Sequence, residues 1–379
     1  MRSFLLTFFL FYGAMHYYIF SKAEGVLIVG FWSRLIGILF MTLMVLAPLI
    51  VHFTRKKGLE TGAQRMAYVG YSWMGFAFLF FSGSVLIDLS GFLLQGAGSI
   101  LNQNFFSFPP TMRFTLPLWM AIGAGIYAYL EALQIRIERV VLKTAKIPGG
   151  SNPFRIVQIS DIHLGLIVRE KRLARILQKV KDARPDLLVC TGDLLDGQIN
   201  HLDAIAELFQ EIRPPFGKFA VTGNHEFYAG LEKSLQFIRK AGFHVLRGEA
   251  ACIGGFLNLA GVDDLTGHYY GIKRDGGEKE LLSGVGKEAF TVLLKHRPQV
   301  DPDSLGLYDL QISGHTHRGQ ILPFRLITRL FFSFPGGFYR LPKGSLLYTS
   351  RGSGTWGPPM RFLTPPEVTV FELVRDEKE

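Results

Sequence analysis

Apolar residues are arranged in two different ways along this chain, and the change falls near residue 150. Before it they form long runs with few charges, at about 3–20, 35–53, 67–94 and 114–135. Crossing ~30 Å of hydrocarbon takes about 20 mostly apolar residues, so these runs predict four membrane helices. The first run is short and aromatic. It is not read as a signal peptide, because no small-residue cleavage site follows it and three further runs do. Beyond Ile147-Pro-Gly-Gly-Ser-Asn-Pro153, a breaker-rich junction, the pattern shortens. Phe154–Ile159, Asp186–Thr191, Lys218–Thr222, Phe290–Leu294 and Leu310–Ser313 read as strands. Arg169–Ala183 has helical spacing with Pro185 behind it, and a polar helix is expected over His201–Ile212. The expectation is a membrane region over 1–146 and an α/β domain over 153–375.

Charge follows the same division. Residues 1–150 hold 12 Lys and Arg against 5 Asp and Glu, whereas the remainder is nearly balanced, so the net charge of +10 belongs mostly to the membrane flanks. No basic stripe argues for nucleic acid; a rim facing anionic lipid accounts for the excess better. Arg55, Lys56, Lys57 and Arg65 follow the second run, and Arg136, Arg139, Lys143 and Lys146 follow the fourth. Between the third and fourth runs stands only Arg113. Positive loops stay inside, which puts the N-terminus and the α/β domain on the cytoplasmic side. Asp88 and Glu131 lie near span ends, within reach of water, and no paired intramembrane charge is evident. Gly70, Gly75, Gly83, Gly123 and Gly125 are expected to permit close helix contacts. Cys190 and Cys252 are too few and too far apart for a zinc ribbon or a disulfide framework.

The chemistry sits in five short motifs, each ending an apolar run. They are Asp161-Ile-His163, Gly192-Asp193-Leu-Leu-Asp196, Gly223-Asn224-His225-Glu226, Lys295-His296-Arg297-Pro298 and Gly314-His315-Thr-His317. Carboxylate, imidazole and amide oxygen suit borderline divalent cations where no thiolate is offered. Two such cations about 3.5–4 Å apart polarise a phosphoryl group and activate water. Strand ends meeting loops are where α/β sheets place their sites. Isolated histidines such as His201, His244 and His268 read as surface or turn residues. Asp196 is open between a hydrogen-bonding role and a plain loop acid, and Asp263 and Asp264 read as a turn.

In this order the motifs resemble the calcineurin-like metallophosphoesterases, over roughly residues 153–375, and in particular a membrane-associated bacterial-type subgroup. The resemblance implies a four-layer α/β/β/α sandwich behind the transmembrane helices. It assigns Asp161, His163, Asp193 and His317 to one metal, and Asp193, Asn224, His296 and His315 to the other, with Asp193 bridging. A hydroxide between the metals would attack phosphorus. His225 would stabilise or protonate the reacting group, with Glu226 orienting its imidazole. The implied cofactors are two divalent ions, of which Mn, Fe or Zn suit the imidazole-rich set.

Two features bear on the substrate. Arg318 stands directly after the His315 and His317 pair, where many relatives carry glycine, and could clamp a second phosphate or point to solvent. Phe324–Arg340 is aromatic and studded with arginines, suited either to the lipid headgroup level or to a loop packed on the sandwich. Gly352–Glu367 resembles the end of the same subgroup and offers Arg361 as an anion contact. The expected protein is an integral membrane phosphoesterase whose partners are the bilayer and a lipid-linked phosphorylated substrate, cut as a phosphodiester or a pyrophosphate. The rival readings are a membrane-anchored phosphoesterase of soluble nucleotides, a transport or sensing protein with a regulatory domain, and an inactive binding domain. The last is disfavoured because every ligand position is filled.

Overall fold

The computed structural model describes residues 2–103, 107–150, 152–197, 202–272 and 277–376; His201 lies outside them. The chain divides into two units. One comprises residues 1–130 with 357–362, and the other residues 131–356 with 363–379.

The first unit is built on α1 (Arg2–Ala23), α2 (Phe31–Lys56), α3 (Glu60–Leu101) and α4 (Pro110–Leu133). One helix forms over each predicted apolar run. Of these, α2, α3 and α4 are long and apolar enough to cross a membrane. At 42 residues, α3 is about 63 Å long, so it extends well beyond the stretch that hydrocarbon requires. A Cβ on Gly70 would come 2.6 Å from the Ala47 Cβ, so glycine there lets α2 and α3 close up. Gly123 and Gly125 instead face open space, so small side chains are not needed there for contact. An ion pair between α1 and α3, not evident from spacing, is present. Asp88 accepts from Lys22 Nζ at 2.5 Å and from the Tyr18 hydroxyl at 2.5 Å. The partners are 66 and 70 residues away in sequence, which is why the pattern alone does not join them.

The second unit is a pair of six-stranded sheets. Its strands are β1 (Arg136–Thr144), β2 (Phe154–Ile159), β3 (Leu187–Cys190), β4 (Lys218–Ala220), β5 (His244–Val245), β6 (Glu249–Ile253), β7 (Leu257–Gly261), β8 (Phe290–Leu294), β9 (Leu310–Ser313), β10 (Gly337–Arg340), β11 (Leu346–Thr349) and β12 (Glu367–Arg375). One sheet runs β1-β12-β2-β3-β4-β5 and the other β10-β11-β9-β8-β7-β6. Helices α5 (Glu170–Ala183), α6 (Leu202–Gln210), α7 (Asn224–Ala229), α8 (Leu231–Lys240), α9 (Glu278–Ser283) and α10 (Phe324–Phe331) complete the unit.

Sequence explains the layers. Every residue of β3, β8 and β9 is buried, as expected of parallel strands covered on both faces. Between the sheets, Ile156, Leu187, Val189, Leu259, Val292, Ile312 and Phe371 form one cluster. Each such side chain contributes about 1.5–3 kcal/mol by leaving water. Helix α5 buries Leu173, Ile176, Leu177 and Val180, the spacing of one helical face. It ends at Arg184 in the left-handed region, with Pro185 blocking continuation.

The segment 136–146 behaves differently from its composition. Its basic residues look like a membrane flank, yet Arg136–Thr144 is a strand pairing in parallel with the whole of β12, from Arg136 opposite Glu367 to Thr144 opposite Arg375. Arg139 meets Glu372 at 2.7 Å and Lys146 meets Asp309 at 2.8 Å, so two of the four topological charges also have partners in the sandwich. Glu131 is buried and accepts from the Thr364 amide at 3.0 Å, which gives it a structural task. A soluble fragment starting at residue 150 would lose β1 and bare the edge of β12. It should unfold at lower temperature and aggregate more readily than a fragment starting at residue 131. Equal thermal midpoints for the two would show that β1 is dispensable.

Candidate metal centre

Five strand ends deliver the motifs to one place. β2 leads into Asp161 and His163, β3 into Asp193, β4 into Asn224 and His225, β8 into His296, and β9 into His315 and His317. Successive residues on a loop cannot all aim inward with ordinary backbone angles. Accordingly Asp161, His163, Asp193, His315 and His317 all have positive φ, between 48° and 74°. Each such non-glycine residue costs of order 1–3 kcal/mol, strain that concentrates at functional sites. Neighbouring glycines make the turns possible. A Cβ on Gly314 would lie 2.3 Å from Asp161 Oδ2, and one on Gly223 would lie 2.2 Å from Asp193 Oδ1.

The polar atoms fall into three overlapping groups linked through His163 and Asp193. Asp161, His163 and His317 form one, Asp193, His296 and His315 another, and His163, Asp193 and His225 the third. Asp193 Oδ2 lies 3.7 Å from His163 Nε2 and 3.3 Å from His296 Nε2. His163 Nε2 faces His317 Nε2 at 3.0 Å, His296 Nε2 faces His315 Nδ1 at 3.1 Å, and Asn224 Oδ1 is 3.2 Å from His296 Nε2. The surroundings orient these atoms. His296 Nδ1 is 2.8 Å from the Thr191 carbonyl, which turns Nε2 inward, and the His315 amide donates to Asp161 Oδ1 at 2.9 Å. Lys295 and Arg297, on either side of His296, are held by Glu278 at 2.7 Å and Asp264 at 2.8 Å. Asp264 is therefore an anchor for this loop as well as a turn residue.

Asp161, His163, Asp193 and His296 are almost wholly buried. Burial raises the pKa of Asp161, whereas His296 and His225 outweigh burial at Asp193 and hold its carboxyl well below the usual range. Burial opposes charge on His296, but Asp193 and Asp161 raise its pKa to about 10. Burial, with His296 and Arg297 nearby, lowers His315 to about 3. Buried carboxylates and imidazole nitrogens facing one another across about 3 Å are better satisfied by cations between them than by one another. The donor set fits a two-metal centre.

Glu226 and Asp196 have exchanged the tasks that adjacency suggests. Glu226 does not touch the His225 imidazole. Its carboxylate accepts from the backbone amides of Gly223 at 2.7 Å, Asp193 at 3.0 Å, Leu194 at 2.8 Å and Leu195 at 3.2 Å. The residue is fully buried beneath two loops whose unpaired N–H groups need an acceptor. Asp196 orients the imidazole instead, with Oδ1 3.0 Å from His225 Nδ1 and 3.5 Å from His163 Nδ1. Burial opposes charge on His225, but Asp193 and Asp196 raise its pKa to about 9. Tyr228 and Trp356 flank the ring at centroid distances of 5.4 Å and 6.0 Å.

The two candidate substrate contacts part company. Arg318 follows His317 and opens into a cavity beside the centre. Arg361 is fully buried, its amide donates to the Ala128 carbonyl of α4, and its segment groups with the apolar helices. A guanidinium so enclosed is not available to an incoming anion. The Gly352–Trp356 stretch does support the centre, through Ser353 and Gly354 amides donating to the Ser160 and Asp161 carbonyls.

The raised pKa values of His225 and His296 have a definite sign. In the metal-free protein they contribute stability that is fully present below about pH 6.5 and is lost as pH rises through about 9 and 10. With a chelator present, the unfolding midpoint should therefore fall across that window. Affinity for Mn²⁺ should rise over the same window, because binding displaces the His296 proton. Calorimetry in buffers of different ionisation enthalpy would count the released protons; a pH-independent affinity would contradict the arrangement.

Residues 154–319 match the calcineurin-like phosphoesterase family. An uncharacterized metallophosphoesterase of Aquifex aeolicus is 43% identical over 258 residues, covering 68% of this chain and 98% of that protein. The metallophosphoesterase YkuE of Bacillus subtilis is 34% identical, over 66% of this chain and 90% of its own length. A zebrafish (Danio rerio) transmembrane protein with metallophosphoesterase domain is 32% identical over 68% of this chain, which spans 62% of that relative. With its buried His and Asp donors gathered at five strand ends, the chain belongs to the calcineurin-like metallophosphoesterases, metal-dependent phosphoester hydrolases, and carries helices apolar enough to cross a membrane.

Proposed function

We propose that this protein is a membrane-bound hydrolase of phosphoester or phosphoanhydride bonds whose substrate is linked to lipid. The observation that carries the hydrolase reading is the run of buried donor groups linked through His163 and Asp193. In this reading Asp161, His163, Asp193 and His317 hold one ion, and Asp193, Asn224, His296 and His315 hold the other. The ions, Mn, Fe or Zn by donor type, supply activation of water and polarisation of the phosphoryl group. The chain's own residues do the rest. Asp193 offsets the repulsion between the cations. His225, kept protonated by Asp193 and Asp196, donates to the phosphoryl oxygens or to the leaving group. Asp196 fixes which ring nitrogen faces the substrate, and Glu226 keeps the loops of Asp193 and Asn224 at a constant separation.

Support for a lipid-linked substrate comes from α10. Its Leu326, Ile327, Leu330 and Phe331 are exposed, Leu330 at 83% and Phe331 at 77%, and Arg325 and Arg329 interrupt them. Apolar residues mixed with arginine suit a headgroup layer. Loop charges put the catalytic unit on the cytoplasmic side. Exposed Cys252, with Cys190 buried, reports on this: a membrane-impermeant maleimide should label Cys252 only after cells are opened, and labelling in intact cells would reverse the assignment.

The experiment is hydrolysis by the full-length protein in detergent and in vesicles with Mn²⁺. Substrates would be bis-p-nitrophenyl phosphate, p-nitrophenyl phosphate, phospholipids and nucleotide-linked lipids. Turnover of a lipid substrate should fall by roughly 10²-fold or more in Asp193→Ala and His225→Ala. Leu330→Asp with Phe331→Asp should slow the vesicle-borne substrate far more than bis-p-nitrophenyl phosphate. Soluble nucleotides cleaved in preference to every lipid would favour an anchored nucleotide phosphoesterase.

A further inference from the structure

The cavity into which Arg318 opens has a volume of about 340 Å³ and is also lined by Arg325, Arg329, Phe332, Gly336 and Tyr339. None of its lining residues is acidic. Among the described residues, none of the three arginines meets a carboxylate. Nearby Arg351 shows the contrast, since it is paired with both Glu138 and Glu367. Burial and the proximity of Arg318 and Arg329 lower the pKa of the Arg325 guanidinium, as expected for like charges without a counter-ion.

The cavity is built into the ligand loop. A Cβ on Gly319 would lie 2.4 Å from the Arg325 Cα, so the start of α10 sits directly against the turn that follows His317. A Cβ on Gly336 would lie 2.9 Å from Arg318 Cγ; glycine there leaves a channel along which the Arg318 stem lies. The Thr316 hydroxyl donates to the Pro335 carbonyl at 2.7 Å, and the Phe332 ring is 5.5 Å from the ring of His315. Arg318, directly after a candidate ligand, and Pro335, held by Thr316, therefore form part of the cavity wall, and an anion in it would lie beside whatever the metal centre holds.

We propose that Arg318, Arg325 and Arg329 form a subsite for a second phosphate of the substrate, next to the phosphate under attack. Three guanidinium groups without acidic partners are stabilised by a multiply charged anion, and phosphate matches their forked donors. The volume accommodates a phosphate and the first atoms of what it carries. The subsite rests on the phosphoesterase reading and narrows it. The preferred substrate is a phosphoanhydride, with one phosphoryl group at the metals and the other at the arginines. Cleavage is then hydrolysis: water adds to one phosphorus, the bridging P–O bond breaks, and the leaving phosphate carries away the electron pair and gains a proton.

The test compares three probes on the full-length, Mn²⁺-loaded protein. ADP-ribose is a soluble pyrophosphate diester, CDP-diacylglycerol is a lipid-borne one, and bis-p-nitrophenyl phosphate has a single phosphorus. In Arg325→Gln and Arg329→Gln, the preference in kcat/KM for either pyrophosphate over the single-phosphorus probe should drop roughly 10–100-fold, with Arg325→Lys restoring part of it. Equal losses on all three probes, with metal content intact, would mean that the arginines are structural or only steer anions. A loss confined to CDP-diacylglycerol would assign them to a lipid surface and overturn the subsite. Hydrolysis of bis-p-nitrophenyl phosphate alone by the wild type would also overturn it while leaving the phosphoesterase reading intact. If the wild type hydrolyses nothing, calorimetric binding of inorganic phosphate decides: binding weakened by the arginine variants upholds the anion subsite, and absence of binding refutes it.

Discussion

The Glu226 carboxylate, taken up by four backbone amides, is the contact on which the centre's geometry rests. Its donors come from two loops, Gly223 after β4 and Asp193 to Leu195 after β3. These loops carry Asp193, Asn224 and His225. Each unpaired buried N–H group would cost about 1–3 kcal/mol, and one side chain satisfies all four. Burial and Asp193 raise its pKa, and the amide donors oppose them. With those loops tied, Asp193 Oδ1 receives the His225 amide at 2.9 Å and Oδ2 turns toward His163 and His296.

The same economy governs the other side of the centre. Asp161 is held by the His315 amide, so a motif on the first sheet and one on the second are locked together by a bond from ligand loop to ligand. Two separate sheets can then contribute to one centre, because their strand-end loops hydrogen-bond to each other's side chains and not only to water. The strain of five left-handed residues is offset by this network and by the apolar interior between the sheets. Metal affinity, the charge on His225 and the position of the phosphate subsite all depend on loops that cannot move independently.

Residues that act directly on ions or phosphate come from short motifs, whereas those that position them do not. His163, His296, His315 and His317 are legible because each follows an apolar run, and all but His296 are accompanied by glycine or aspartate at short spacing. Asp196 is three residues from Asp193, and spacing cannot say whether a loop acid reaches His225. Adjacency alone turns Glu226 toward His225, but at the first turn of α7 the two side chains diverge. The arginines of α10 read either as interfacial or as part of a loop packed on the sandwich; their convergence with Arg318 depends on α10 folding back over Gly319. The Lys22–Asp88 pair needs two helices packed together before it exists.

The sequence by itself determined the apolar runs that become helices, the buried strands, the donor types and the family, because these depend on local periodicity and on residues adjacent in the chain. Only the tertiary structure decided that Arg136–Thr144 is a sheet edge rather than a membrane flank, since its partner β12 lies more than two hundred residues on. It likewise decided that Arg361 is enclosed and Arg318 open. Both are single arginines in glycine-containing segments. What separates them is which surfaces the folded chain lays against each, and burial of a charge is a property of those surfaces, not of the residue.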